Sequence, residues 1–211
     1  EIASCLVGSE MCIRDSPKLY KEYNVKRGLR DEDGRGVLTG LTRVGEIQSY
    51  SVTEGEHIVP QDGMLYYRGI DCRELVKGSE GRRFAFEETA YLLLFGELPT
   101  AAQLEAFCQQ LASYRTLPTN FFRDVIMKAP PRDLMNTMQR GILTLFCYDD
   151  KPNDIGLENV LRQCLQLMSN MPVLAIYAYQ AWRFSQGESL FIHVPKPELS
   201  TACLLYTSPS P

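Results

Sequence analysis

Two histidines, three arginines set among glycines and one pair of adjacent glutamates are the residues of this 211-residue chain whose types could do chemistry. A histidine near neutrality can move protons or hold a metal. His57 sits in "EGEHIVPQDG" and His193 in "FIHVPKPELS", and neither has a cysteine or carboxylate at metal-ligand spacing. His193 is the better placed to reach a pocket; a surface or hydrogen-bonded histidine is the plainer reading of both. Arg27, Arg30 and Arg35 could grip a phosphate, because guanidinium forks match anions. Asp31, Glu32 and Asp33 lie between them and neutralise the patch, so a solvated charged loop explains the run. Glu87 and Glu88 open an apolar stretch, where carboxylates favour the positive end of a helix dipole over acid–base work. Arg82 and Arg83 read as surface charge. No phosphate-binding glycine loop or nucleophile elbow is present.

The elements that must position such groups follow from the periods of the chain. Pro17–Gly45 is charged and glycine-rich, and reads as loop and turn with one short helix near Lys18–Tyr23. "GEIQSYSV" and "MLYYRG" alternate like strands, with "EGEHIVPQDG" as the turn between them: a small β-hairpin near the N-terminus. From Asp71 the period becomes helical. Asp71 caps a helix through Lys77. Phe86–Phe95 forms an apolar helix stopped by Gly96 and Pro99. Thr100 and Gln103 have capping-box spacing, and Leu104, Phe107, Cys108 and Leu111 make a buried stripe. Thr119–Lys128 is a shorter helix closed by Pro130 and Pro131. Asp133–Tyr148 places Leu134, Met138, Ile142 and Leu145 on one face. Leu157, Val160, Leu161, Cys164, Leu165 and Met168 continue the pattern after "DDKPND". "MPVLAIYAYQAW" is apolar almost all round, with a kink expected at Pro172. Ala175, Ala178 and Ala181 leave room for a close neighbour. The fold class is all-α, mostly helical, with that one hairpin.

Composition narrows the function. The net charge is −4, without a dense basic run, which argues against a nucleic-acid partner. No apolar run reaches membrane-spanning length. Cys72, Cys108, Cys147 and Cys164 are scattered without C-x-x-C spacing, so neither a disulfide framework nor a zinc site is expected, and a reduced cytoplasmic compartment fits.

The two ends differ from the middle. If Cys203–Pro211 is encoded by TGT CTC TTA TAC ACA TCT CCG AGC CCA, the opposite strand in a shifted frame encodes Gly8–Asp15. That inverted DNA resembles a transposase adapter used in sequencing libraries. Residues 1–16 and 203–211 are therefore expected to be adapter-derived and to hang off the fold, leaving 17–202 as an open reading frame cut at both ends.

"DGMLYYRGIDCRELV" (Asp62–Val76), "FEETAYLLLFGELPTAAQLEAF" (Phe86–Phe107) and "MPVLAIYAYQ" (Met171–Gln180) together resemble the citrate synthase family. Phe191–Ala202 resembles the segment leading into that family's next helix. The resemblance covers essentially all of 17–202 and implies the N-terminal portion of the large domain of a homodimeric, almost wholly helical enzyme. It implies condensation of acetyl-CoA with oxaloacetate to citrate and CoA, with acetyl-CoA as a substrate and no cofactor. In the family an aspartate takes a proton from the acetyl methyl, while two histidines stabilise the enol and protonate the oxaloacetate carbonyl. All three catalytic residues are expected downstream of Ala202, as are the arginines that hold oxaloacetate. The chain as given therefore carries no catalytic residue and should be inactive. Arg30, in "GLR", resembles a position that reaches CoA from the partner subunit. A 2-methylcitrate synthase using propionyl-CoA shares all these features. Outside the enzyme class, a non-catalytic helical dimerisation module would predict a stop soon after Ala202 and a well-behaved small dimer. The resemblance places the helices of Asp133–Tyr148 and Leu157–Gln186 at a dimer interface, with surplus apolar surface expected around Pro172–Trp182. The isolated 17–202 stretch is expected to be poorly soluble or loosely packed.

Overall fold

A computed structural model of the chain describes residues 18, 22, 28–30, 36–39, 44–53, 57–129, 133–192 and 194–207. They fall in two compact units, Glu1–Pro99 and Thr100–Pro211.

In the first unit, Lys18 and Glu22 are helical, as the short helix near Lys18–Tyr23 requires. The following stretch is not all loop. Strands β1 (Gly28–Arg30) and β2 (Gly36–Thr39) pair antiparallel, with Arg30 opposite Gly36. Strands this short carry too few residues to show alternation, so only the pairing reveals them. Strands β3 (Gly45–Thr53) and β4 (His57–Tyr67) form the expected hairpin, lengthened because "HIVPQDG" continues β4 instead of turning. Pro60 and Gly63 read as punctuation, yet β4 tolerates them. Strand β5 (Ile70–Asp71) pairs only with Tyr66 and Tyr67, and Pro60 faces Tyr50 beside a break in register. Pro60 therefore needs no donor towards a second neighbour.

Arg68 and Gly69 join β4 to β5 with φ of 50° and 83°. Positive φ at both central residues is the geometry of a two-residue primed turn, which matches strand twist. Asp71 then caps α1 (Cys72–Gly78), accepting from the Arg73 backbone N–H at 2.8 Å. Helix α2 (Ala85–Phe95) ends on Gly96, whose φ of 89° is left-handed and suits a residue without Cβ. Leu92 is buried on α2.

The second unit begins with the capping box: the Thr100 backbone N–H donates to Gln103 Oε1 (2.8 Å), and the Gln103 N–H donates to Thr100 Oγ1 (3.4 Å). Helix α3 (Ala101–Ser113) buries Phe107 and Leu111 from the expected stripe. Thr119–Lys128 is mainly a π-helix, Phe122–Met127, and not an α-helix. A wider turn of i to i+5 hydrogen bonding places residues five apart on one face. Phe121 and Ile126 have that spacing, and both are 1% exposed in the core. Pro130 and Pro131, the expected stop, lie outside the described residues.

Helix α4 (Leu134–Leu145) is capped by Asp133 and followed by a 3-10 turn, Phe146–Tyr148. Helix α5 (Leu157–Ser185) runs as one element through Pro172, where two joined stretches were expected. Its second half forms the core with Phe121 and Ile126: Val173, Leu174, Ile176, Tyr177 and Ala181. Ala178 is fully buried. The surplus apolar surface expected around Pro172–Trp182 is therefore absent. It lies on α4, where Met135 is 64% and Leu143 73% exposed, and on Phe146 beyond it. Thr137 and Gly141 form the buried line of α4, between the expected apolar positions. Leu157, placed on the α5 stripe, is 54% exposed.

Helix α6 (Thr201–Thr207) closes the described chain. Leu204 is 3% exposed and belongs to the core cluster. The described part of this tail, residues 203–207, is thus helical and packed through Leu204, where a tail hanging off the fold is expected from Cys203; residues 208–211 lie outside the described residues. One apolar residue, Leu204, following the capped turn at Ser200 and Thr201 reaches the core, while Leu205 stays exposed.

Candidate functional site

The charged positions singled out by sequence that lie among the described residues fall on separate elements. Arg30 ends β1, while Arg27, Arg35 and 31–33 lie outside the described residues. His57 begins β4, opposite Thr53. His193 also lies outside the described residues. Glu87 and Glu88 occupy the first turn of α2, as the dipole argument requires, with Glu87 only 1% exposed. Arg82 is more than surface charge: its Nη1 donates to Glu88 Oε1 at 2.7 Å. Arg83 lies over the Phe84 ring, 5.5 Å from its centroid.

No thiol is prepared for attack among those with perturbed acidity. Burial pushes the Cys164 thiol up, and burial together with Asp71 does the same to Cys72, opposite to what a nucleophile needs. The described cysteines form no disulfide with one another. Among the described residues, no three His, Cys, Asp or Glu side chains are grouped to hold a metal ion. No helix among them is long and apolar enough to cross a membrane.

The best-built polar cluster is one that sequence alone did not single out. It lines an open cleft of about 1200 Å³ in the second unit, beneath the loop joining Tyr148 to α5. Arg162 Nη2 donates to Asp149 Oδ1 (2.6 Å) and Asn159 Oδ1 (2.7 Å), its Nε to Asn159 Oδ1 (3.0 Å), and its Nη1 to Gln166 Oε1 (2.7 Å). Gln163 Nε2 donates to Asp149 Oδ2 at 2.9 Å. Asn159 Nδ2 donates to the carbonyls of Lys151 (2.9 Å) and Asp154 (2.7 Å). Burial alone would raise the Asp149 carboxyl. The Lys151 backbone N–H, Gln163 and Arg162 together outweigh burial and hold it below the ordinary carboxylate range. Each guanidinium nitrogen is already spent on a protein acceptor, so this arginine fastens a loop and has no free fork for a substrate anion. The signal was present as "DDKPND" followed by Asn159, Arg162 and Gln163, one helical turn apart.

A second clamp explains why two sequence motifs travel together. Arg68 of "YRGI" donates from Nη2 to the Leu93 carbonyl of "LLLFG" at 2.9 Å, and more weakly from Nε at 3.3 Å. That carbonyl is in the last turn of α2, where acceptors lack intrahelical donors and a cation opposes the negative dipole end. The bond also holds a non-glycine residue at positive φ, a conformation that is otherwise disfavoured.

These features define a helical protein with two small antiparallel sheets in its N-terminal unit, fastened by part-buried polar clamps and without a complete catalytic constellation among its described residues. Comparison with known proteins gives the family. The model of "Citrate synthase, C-terminal domain" matches residues 35–206, and the chain belongs to the citrate synthase family. It is similar to a citrate synthase of Corynebacterium glutamicum, 31% identical over 122 residues, covering 56% of this chain and 26% of that protein. It is also similar to a 2-methylcitrate synthase of Shewanella oneidensis, 42% identical over 77 residues, covering 35% of this chain and 19% of that protein. The crystal structure of citrate synthase from Pyrobaculum aerophilum shares the fold, with a TM-score of 0.63, 22% identity, and coverage of 88% of this chain and 46% of that one. The chain thus spans about a fifth to a quarter of the length of these two curated relatives.

Proposed function

We propose that the chain is the N-terminal portion of the large domain of a citrate synthase, which condenses acetyl-CoA with oxaloacetate to citrate and CoA in the cytoplasm. The family match across residues 35–206 carries this reading. The acid–base groups then belong to sequence beyond Ala202, and the chain supplies scaffold and contact surface. Such a division is chemically reasonable. Removing a methyl proton beside a thioester is costly in water and becomes feasible where a positioned base and a shielded anion site act together. The reaction uses acetyl-CoA as substrate and calls for no cofactor.

The exposed apolar line of Met135, Leu143 and Phe146 supports a homodimer built on α4. Its solution counterpart is a full-length protein that sediments as a dimer. A small, stable dimer of this chain, from a gene that encodes no condensing activity, would instead favour the dimerisation module.

The decisive experiment is expression of the full gene, read across the Ala202 junction, followed by CoA release with oxaloacetate and either acetyl-CoA or propionyl-CoA. Faster turnover of acetyl-CoA is expected. Preference for propionyl-CoA would select the second reading, 2-methylcitrate synthase, which the Shewanella oneidensis match favours. The chain alone should release no CoA; turnover by it would sink the placement of the catalytic groups. Arg30→Ala in the full-length enzyme is expected to raise KM for the acyl-CoA about five- to tenfold with kcat little changed, the signature of one lost charge-assisted contact. An unchanged KM would remove Arg30 from the CoA site.

A further inference from the structure

Arg115 follows the C-terminus of α3, its side chain buried to 4% exposure. Its Nη1 donates to the Leu199 carbonyl at 2.5 Å, and its Nη2 reaches Thr201 Oγ1 at 3.3 Å. These acceptors flank Ser200, itself 1% exposed, whose Oγ accepts from the Cys203 backbone N–H at 3.2 Å. Three successive residues at the start of α6 are thus held by one guanidinium and one cap. Four residues after Ser200 along the same helix, Leu204 enters the core.

A guanidinium stays charged at any working pH, and burying it carries a desolvation penalty that an apolar side chain of similar length would avoid. What the arginine adds is geometry. Two parallel donors on a planar fork meet two acceptors set two residues apart, which fixes both the position and the direction of the chain leaving the turn. Leu204 alone would anchor the helix without fixing where it starts, since apolar burial is non-directional.

We propose that Arg115 is a positioning residue that sets the start of α6 and, through it, the path of the polypeptide that carries the reacting groups. The second half of this statement rests on the reading above, that those groups follow Ala202. The first half rests on the contacts alone.

The test uses the full-length enzyme with Arg115→Lys, Arg115→Met and Thr201→Val. Hydrogen exchange at the amides of Thr201 and of the three positions that follow it in that enzyme (201–204) reads the turn, exchange at 173–177 reads the core, and kcat is scaled to folded subunits. Arg115→Met is expected to expose 201–204 at least tenfold while 173–177 stay protected. It should lower kcat tenfold or more and raise the KM for oxaloacetate, with the KM for the acyl-CoA within about threefold, because the polypeptide after Ala202 carries both the reacting groups and the oxaloacetate arginines. Arg115→Lys recovers part of kcat by restoring one donor. Thr201→Val gives a smaller loss of the same kind, and serves if Arg115→Met does not fold. Unchanged protection at 201–204 in these variants overturns the clasp. Lost protection with unchanged kcat overturns its role in the reaction. If the unaltered enzyme condenses neither acyl-CoA with oxaloacetate, the functional reading has failed, and exchange at 201–204 still decides the clasp.

Discussion

Gly141→Val is expected to destabilise α4 by about 3 kcal/mol, read as faster hydrogen exchange of its amides in the full-length protein. A Cβ at Gly141 would lie 3.1 Å from Leu174 Cδ2 and 3.4 Å from Cδ1. Leu174 is 1% exposed and packed among Phe121, Ile126 and Tyr177, so it has no free volume to move into. Two opposing effects are separated by Gly141→Ala. Alanine adds about 1 kcal/mol of helix propensity, whereas overpacking a filled core costs about 1–3 kcal/mol. The clash should win, and Gly141→Ala should come out mildly destabilised. Pairing Gly141→Ala with Leu174→Val should recover the loss, because the shorter side chain vacates the contested space. If Gly141→Ala by itself slows exchange, α4 and α5 approach less closely than described.

Arg162→Met should free the loop between Tyr148 and α5, at a cost of about 2–3 kcal/mol to the local opening of residues 157–163. The exposed part of the guanidinium limits the loss: its side chain is 31% exposed, and that of Asp149 is 14%. The substitution leaves Asp149 buried against fewer donors, which is worse than having no charge there at all. The pH dependence provides a separate check. The Asp149 carboxyl is held below its ordinary value, so its contribution is complete above the unfolded-state pKa of about 3.9 and disappears as pH falls through the lower folded value. The unaltered loop should therefore stay protected from neutrality down to about pH 4 and open below it. In Arg162→Met the carboxyl rises, and that acid transition should move to higher pH. Asp149→Asn should be weakened at neutral pH and lose most of the acid dependence. An acid transition that is the same in all three proteins would show that Asp149 does not hold the loop.

Both effects arise from contacts between residues distant in sequence, and this separates what was readable in the chain from what was not. Helix caps were legible because they are local. Asp71 needs only Arg73, and Thr100 needs only Gln103, and both are where the spacing puts them. Residue period located α2, α3, α4 and α5 for the same reason, since an apolar stripe records the side of a helix that faces inward. Motif order carried the family, and the match over residues 35–206 agrees with it.

Other features depended on partners that no local pattern names. Pro60 entered a strand because, among the described residues, its outward side meets no second strand there. The stretch Phe122–Met127 became π-helical, with Phe121 and Ile126 sharing the core side, and Gly141 became a contact because Leu174 lies above it. The apolar surplus moved from Pro172–Trp182 to α4 because the former is covered by the chain's own core. Nothing in the local sequence sets Arg68, Arg115 and Arg162 apart from other cations. Their carbonyl and carboxylate partners lie 25, 84 and 13 residues away, respectively. The sequence by itself determined the helical class, the caps and the family, because each is written in spacings of a few residues. Only the tertiary structure decided which arginines are clamps, since a guanidinium becomes one only when folding brings acceptors to its fork and removes water from around it.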